Sequence, residues 1–218
     1  LDKTCITFPL GKENFIAEFH NAVDQNTCTN LIYKLISEKI DVFTLGETGG
    51  GITPHIKKSF DVKLSDPSVF SKIKIKEYDF FKNAESYISD RIASCVHEYI
   101  HAYSSLNDLP NIEITGLQIQ RYFKNNGYYK SHLDSVPWMT GIDGPGSVRV
   151  LAVILYLNTV EDGGETFFEY QNANIKAEQG KVVIFPTDWK YLHGGKVPYS
   201  CDKWISSSFV LTSMQERL

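Results

Sequence analysis

The chain has 218 residues, with twelve Tyr, thirteen Phe and a formal net charge of −4 at pH 7. Its length suits a single mixed or all-β domain, and its apolar and aromatic content supports a packed core rather than a disordered chain. The acidic balance excludes a broadly basic nucleic-acid surface, and no run approaches the roughly 18 uncharged apolar residues of a membrane-spanning helix. Neither nucleic acid nor membrane is therefore expected as a partner. No charged-then-apolar signal segment opens the sequence, which leads to a cytoplasmic expectation, although a start at Leu1 leaves room for a removed upstream segment. Cys5, Cys28, Cys95 and Cys201 lack CxxC spacing and read as buried free thiols. A monomer is the default expectation.

In chain order, the first half reads helical. Leu31, Ile32, Leu35 and Ile36 recur at helix spacing within residues 28 to 40. The following TLGETGGGITPHIKKSF is rich in glycine but lacks the GK[ST] that ends a phosphate-binding loop, so it reads as a mobile surface loop. SKIKIK, residues 71 to 76, reads as a solvated face. From about Glu77 to Ser104 a longer helix is predicted, with Phe81, Ala84, Ile88, Ile92, Cys95 and Tyr99 on one stripe at ~100° per residue. That stripe must face a core. The same helix carries HEYIH, residues 97 to 101, the His-Glu-x-x-His pattern in which two imidazoles one turn apart grip the zinc of a metalloprotease. Here His97 and His101 project away from the stripe, and Ser104 stands where one major protease class needs glycine. Glu113, the sole downstream carboxylate at a plausible distance, falls in a predicted strand. Both histidines are therefore expected to be exposed on a supporting helix.

From Ile112 the period changes to two. ITGLQIQRYF, SVRVLAVILYLNTV, NIKAEQGKVVIFP and WISSSFVLTS alternate or run β-branched, separated by turn signals such as NNG, DGG and EQG. Helices followed by strands predict an α+β, mainly β fold in which helices buttress a sandwich or barrel. One domain over residues 1–218 is expected, with helical support in 1–110 and a β catalytic core in 111–218. The Gly- and Pro-rich segment 135 to 147 is too long for a tight hairpin and reads as a lid or binding loop.

The strand half carries residues that complete one another. In SHLD, His132 and Asp134 lie two apart and share a face if the segment is extended. His193, from a distant strand, would complete a two-His-one-carboxylate triad, which suits Fe(II) because it fills one face of an octahedron and leaves room for a cosubstrate and dioxygen. Taken alone, HxD is common, and a surface histidine beside a turn aspartate is its ordinary reading. Lys203 leads into WISSSFVL among apolar neighbours, where a lysine needs a charged partner. Tyr156, within VLAVILYLN, needs an acceptor for its phenol. A dicarboxylate that chelates iron at one end and meets Lys203 and Tyr156 at the other satisfies both. A snorkelling lysine and an interface tyrosine are the structural alternatives.

RYFKNNGYYKSHLD, RVLAVILYLNTVEDGGETFF and GKVVIFPTDWKYLHGGKVPYSCDKW, in that order over roughly residues 115 to 212, resemble the prolyl 4-hydroxylase family of Fe(II)/2-oxoglutarate-dependent dioxygenases. The resemblance implies a double-stranded β-helix (jelly-roll-like) core backed by N-terminal helices. It also implies iron ligation by His132, Asp134 and His193, pairing of Lys203 and Tyr156 with the distal carboxylate of 2-oxoglutarate, and Tyr122 beside that cosubstrate. Tyr129 and Arg149 match residues that approach the substrate proline, and the segments 135 to 147 and 46 to 54 resemble loops that close over a peptide. The ten-residue step from His193 to Lys203 is similar to that of the collagen-type and the plant or algal branch. Departures occur at Phe209, where family members often carry Trp, and at Leu211, where some carry His. Both bear on the substrate. The implied activity is hydroxylation of prolyl residues in a peptide or protein, with 2-oxoglutarate and O2 consumed, succinate and CO2 released, and ascorbate as an optional accessory. The competing readings are the same chemistry on another residue or a free amino acid, and a metal-binding β-barrel without turnover.

Overall fold

Strands lie on both sides of the long helix. The computed structural model describes residues 5–37, 43–49, 51–64, 66, 69, 75–135, 143–144 and 146–213. The chain first forms β1 (Cys5–Thr7), β2 (Ala17–His20), α1 (Gln25–Ser37), β3 (Thr44–Leu45), β4 (Glu47–Thr48), β5 (Gly51–Ile52), β6 (Lys57–Lys58), β7 (Phe60–Lys63) and α2 (Ile75–Ala102). Then follow β8 (Glu113–Ile114), β9 (Gln118–Tyr122), β10 (Tyr128–His132), β11 (Ser147–Tyr156), β12 (Thr166–Phe168), β13 (Ala173–Ile175), β14 (Val182–Pro186), β15 (His193–Gly195) and β16 (Lys203–Ser213). Asp24 starts α1: its carboxylate accepts the Thr27 N–H at 2.9 Å, satisfying a donor that the first helical turn leaves without a partner. α2 buries the stripe of Phe81, Ala84, Ile88, Ile92, Cys95 and Tyr99, as its spacing predicts.

Two antiparallel sheets face each other. The larger runs β1-β2-β14-β11-β16-β9-β7-β3, with β8 also on β16, and the smaller runs β13-β12-β15-β10-β6. In β14, Val182 and Ile184 enter a core with the helix residues Leu31 and Ile88, while Val183 and Phe185 enter the core between the sheets. β11 divides in the same way, with Val153 and Leu155 toward the helices and Ile154 and Tyr156 inward. Because successive side chains point to opposite faces, the period-two pattern lets one sheet serve two cores. The result is a double-stranded β-helix with helices packed against its outer side.

The segment before residue 110 does more than support this barrel. β2 pairs with β14, β7 with β9 and β6 with β10, so both sheets are widened by N-terminal strands. A division into helices over 1–110 and strands over 111–218 is corrected accordingly; strands as short as Lys57–Lys58 carry no readable period. The glycine-rich stretch, expected as a loop, holds the β4–β5 hairpin. The first helix begins earlier than predicted, and residues 38–42 lie outside the described residues, as do 71–74 of SKIKIK and 136–142 and 145 of the expected lid. Cys28 and Cys95 are buried free thiols, each pushed up to about 12 by burial. Cys5 is exposed and Cys201 half-buried, against the expectation that all four would be buried. Among the described residues, no helix is long and apolar enough to cross a membrane.

Candidate active site

β10 and β15 bring three donors together. His132 ends β10 opposite His193, the first residue of β15, and Asp134 follows in the bend after β10. His132 Nε2 lies 3.5 Å from Asp134 Oδ1, and His193 Nε2 lies 3.4 Å from Asp134 Oδ2. Both Nδ1 atoms face backbone: Lys130 O for His132 and Tyr191 O for His193, each at 2.9 Å. A carbonyl only accepts, so each Nδ1 carries the proton and each Nε2 offers a lone pair. Burial pushes the His193 imidazole down to about 4, against the pull of Asp134. Burial also opposes ionisation of Asp134, but His193 and His132 outweigh it and hold that carboxyl down to about 2. At neutral pH the set thus offers the neutral His193 imidazole and the Asp134 carboxylate beside His132, with ligand atoms all within 4.8 Å of one another. Such a set fits a first-row divalent metal that keeps open positions.

The donors line a cavity of about 350 Å³ that also reaches Lys203 and Thr166. Lys203 opens β16 opposite Tyr122 of β9 and is 3% exposed. Its ammonium lies 5.4 Å from the centroid of the Tyr156 ring and 5.8 Å from that of Tyr122, and among the described residues it has no hydrogen-bonded or ion-paired partner. Burial pushes it down to about 7, with Glu165 pulling the other way. This is a buried cation that lacks an anion in contact among the described residues.

Tyr156 is fully buried, and its hydroxyl donates to Thr166 Oγ1 at 2.7 Å. Its phenol therefore has the acceptor that the sequence called for, but the acceptor is a residue the sequence reading missed. Thr166 lines the cavity and Tyr156 does not. Having accepted one bond, the Thr166 hydroxyl keeps its own proton to donate. GGET held the signal: Gly163 (φ 70) and Gly164 (φ 72) take the left-handed conformation that glycine adopts without steric cost and turn the chain into β12. Tyr122 lines the cavity with its hydroxyl donating to Gln120 Oε1 at 2.6 Å.

Two bulges shape the mouth. Tyr129 pairs with Gly195 and His132 with His193, so β10 carries one residue more than β15 between these pairs. Strict alternation would put residues three apart on opposite faces; the extra residue re-aims Tyr129, whose ring stacks on His132 with centroids 3.5 Å apart and planes within 12°. Gly194 permits the close strand approach here, since a Cβ would come within 2.7 Å of Tyr129 O. The second bulge lies between Arg149 and Leu151 in β11. Arg149 donates to both carboxylate oxygens of Asp143, at 2.6 and 3.1 Å, and its guanidinium carbon lies 3.7 Å from the Phe209 ring centroid. The planar fork expected to approach the substrate proline is thus held by Asp143. Phe209 lines the cavity, whereas Leu211 is buried outside the lining, so Phe209 is the departure that touches the site. Glu47, Thr48, Lys57 and Lys63 from the N-terminal strands complete the wall.

His97 and His101 are exposed on α2, with ring centroids 4.4 Å apart. Among the described residues the only group of three metal-ligating side chains is His132, Asp134 and His193. Replacing both helix histidines with alanine is expected to change metal-dependent turnover by less than about twofold, as for surface substitutions clear of a site. Initial-rate assays check this; a dead double variant beside an active His193→Ala protein would move the metal to the helix.

The family model of the 2OG-Fe(II) oxygenase superfamily matches residues 117–211. The "Putative prolyl 4-hydroxylase" of Acanthamoeba polyphaga mimivirus is 29% identical over 102 residues, and the match spans 42% of this chain and 42% of that relative. Among solved structures, the viral collagen prolyl hydroxylase of Paramecium Bursaria Chlorella virus-1, as its 2OG complex, aligns with a TM-score of 0.63 at 18% identity, covering 92% of this chain and 98% of that one. A prolyl hydroxylase from Trichoplax adhaerens, bound to a peptide fragment of the hypoxia inducible factor oxygen degradation domain, aligns with a TM-score of 0.67 at 15% identity, covering 92% of this chain and 85% of that one. These structural likenesses establish the fold. The matched residues 117–211 hold His132, Asp134, His193, Thr166 and Lys203.

Proposed function

We propose that this chain is an Fe(II)- and 2-oxoglutarate-dependent dioxygenase that hydroxylates prolyl residues in a peptide or protein. One observation carries the reading: a single cavity holds two imidazoles and a carboxylate at one place and, at another, the buried ammonium of Lys203, which has no anion in contact among the described residues. A dicarboxylate that chelates a metal through its 2-oxo acid end and sets its far carboxylate on Lys203 satisfies both. When bound, iron and dioxygen supply the oxidation in which 2-oxoglutarate becomes succinate and CO2 while a substrate C–H bond gains oxygen.

The chain's own residues bind, orient and exclude water. His132, Asp134 and His193 hold the metal. Lys203 and the Thr166 hydroxyl hold the far carboxylate, with Tyr156 acting through Thr166. The rings of Tyr122 and Tyr156 keep the ammonium dry, which strengthens its pairing with an anion. Arg149, fixed by Asp143 and Phe209, and Tyr129 stand at the mouth, where a substrate peptide would be oriented before reaction. A peptide substrate is supported by the prolyl hydroxylase relatives, and four free cysteines suit a reducing compartment such as the cytoplasm.

Incubation with Fe(II), 2-oxoglutarate and a panel of proline-containing peptides, with ascorbate present or omitted, tests the proposal. The expected result is peptide-stimulated succinate release and a gain of one oxygen atom on proline by mass spectrometry. Oxygen on another residue, or on a free amino acid, would reassign the substrate. Metal binding with no oxygen-dependent succinate would reduce the chain to a binding barrel.

A further inference from the structure

Residues 57–63 precede the segment that carries the family match, yet they join the two sheets at the cavity mouth. β6 extends the smaller sheet, with Tyr129 opposite Lys57, and β7 extends the larger one, with Asp61 opposite Gln120. An ion pair pins the corner between them: Lys57 Nζ lies 2.6 Å from Asp61 Oδ2, and each residue is only 4% exposed. The Asp61 carboxylate also accepts the Ser59 hydroxyl at 2.7 Å and Gln118 Nε2 at 2.9 Å. Such a pair is a poor source of stability, because desolvating both charges cancels much of their attraction. Its position suggests a different use. The Lys57 ammonium lies 5.2 Å from the centroid of the Tyr129 ring, and Tyr129 is the ring stacked on His132.

The two imidazoles of the triad are held differently. His193 is buried against Phe168 and Phe185, with centroids 5.6 and 4.7 Å away. His132 is half-buried at the mouth, tied at one edge by Lys130 O and covered by Tyr129. We propose that Lys57 is a positioning residue for the metal centre: anchored by Asp61, it holds Tyr129 flat against His132 and so fixes the direction in which His132 Nε2 points. The cation attracts the electron-rich face of the ring, and the ring's orientation passes to the imidazole. Lys57 itself has no contact with the three donors. The inference rests on the assignment of the triad as a metal site.

Co(II) titration of the metal-free full chain tests it through two readouts, the calorimetric affinity and the visible ligand-field spectrum. Lys57→Met is combined with Asp61→Asn so that no charge is left buried alone; Lys57→Gln, which keeps a donor for Asp61 but no cation for Tyr129, carries the same expectation if the double variant does not fold. The expected result is Co(II) binding weakened about tenfold, the lower end for loss of a group behind a metal ligand, with an altered spectrum. Lys57→Arg should retain both properties. In a Tyr129→Leu background, removing the Lys57 charge should bring no further loss. Unchanged affinity and spectrum in a folded charge-free variant, or a fully additive loss in the Tyr129→Leu background, would overturn the inference. Failure of the underlying metal assignment looks different: wild-type Co(II) binding would survive His193→Ala.

Discussion

Alanine in place of His193 is expected to abolish metal binding and turnover together while the fold persists. The imidazole is fixed in register from both sides, opposite His132 of β10 and Phe168 of β12, and its Nδ1–H is committed to Tyr191 O. Its Nε2 therefore points at Asp134 before any metal arrives, and its basicity is low enough to leave it unprotonated at neutral pH. Losing one of three protein donors should weaken Fe(II) or Co(II) binding by more than about 100-fold, since removing a partner behind a ligand already costs roughly 10–100-fold. The truncation also empties space between Phe168 and Phe185, at a cost of about 1–3 kcal/mol, which a folded domain tolerates. Circular dichroism should thus show a native spectrum with a lowered Tm, calorimetry no titratable metal, and the succinate assay only background. Turnover above about 1% of wild type would be more than a two-donor site can sustain and would remove His193 from the metal. His132→Ala and Asp134→Ala should behave alike.

What the sequence revealed of this molecule divides along a physical line. Periodic elements were legible, because a long amphipathic helix or a half-buried strand repeats its signal: the α2 stripe is buried at all six of its positions, and β11 and β14 alternate between two cores. The pairing of His132 with Asp134 was legible because they sit two apart in sequence, and Lys203 because it opens the long strand β16, whereas His193 opens a strand of only three residues. Strands of two to four residues before α2 were not, since so few side chains cannot establish a period. Nor was the stacking of Tyr129 on His132, because it depends on a bulge that breaks alternation. Thr166 escaped for another reason: its role comes from the hydroxyl of Tyr156, ten residues away across a glycine turn. HEYIH is the converse case, a local pattern complete in itself that the helix projection already set on the exposed face, and its side chains meet no third donor among the described residues.

Raising the pH above neutrality is expected to weaken 2-oxoglutarate binding while it stabilises the ligand-free protein. Burial pushes Lys203 down to about 7 from its ordinary 10.5. Between those values the unfolded chain holds a proton that the folded chain has released, so ligand-free stability rises with pH across that window. Below it both states are protonated, and the folded protein carries a buried ammonium with no anion in contact among the described residues. On the proposed reading the cosubstrate reverses the preference, because its far carboxylate would pair with the charged form. Above the folded value each binding event must restore the proton, so Kd should climb about tenfold per pH unit. Calorimetry under anaerobic conditions in two buffers of different ionisation heat should register uptake of close to one proton per ligand at about pH 8. Neighbouring groups do not imitate this slope: burial holds the His193 imidazole down to about 4, and burial pushes the Tyr122 and Tyr156 phenols up, away from the window. Lys203→Met keeps the stem and loses the charge. It should bind 2-oxoglutarate roughly 10–100-fold more weakly below neutrality, as expected for losing a hydrogen bond to a charged group, and show no pH slope. It should also melt higher than wild type at acid pH, where the wild type bears its unpaired cation. A flat wild-type Kd between about pH 7 and 9, or a methionine variant that binds as tightly as wild type, would take Lys203 out of the cosubstrate site.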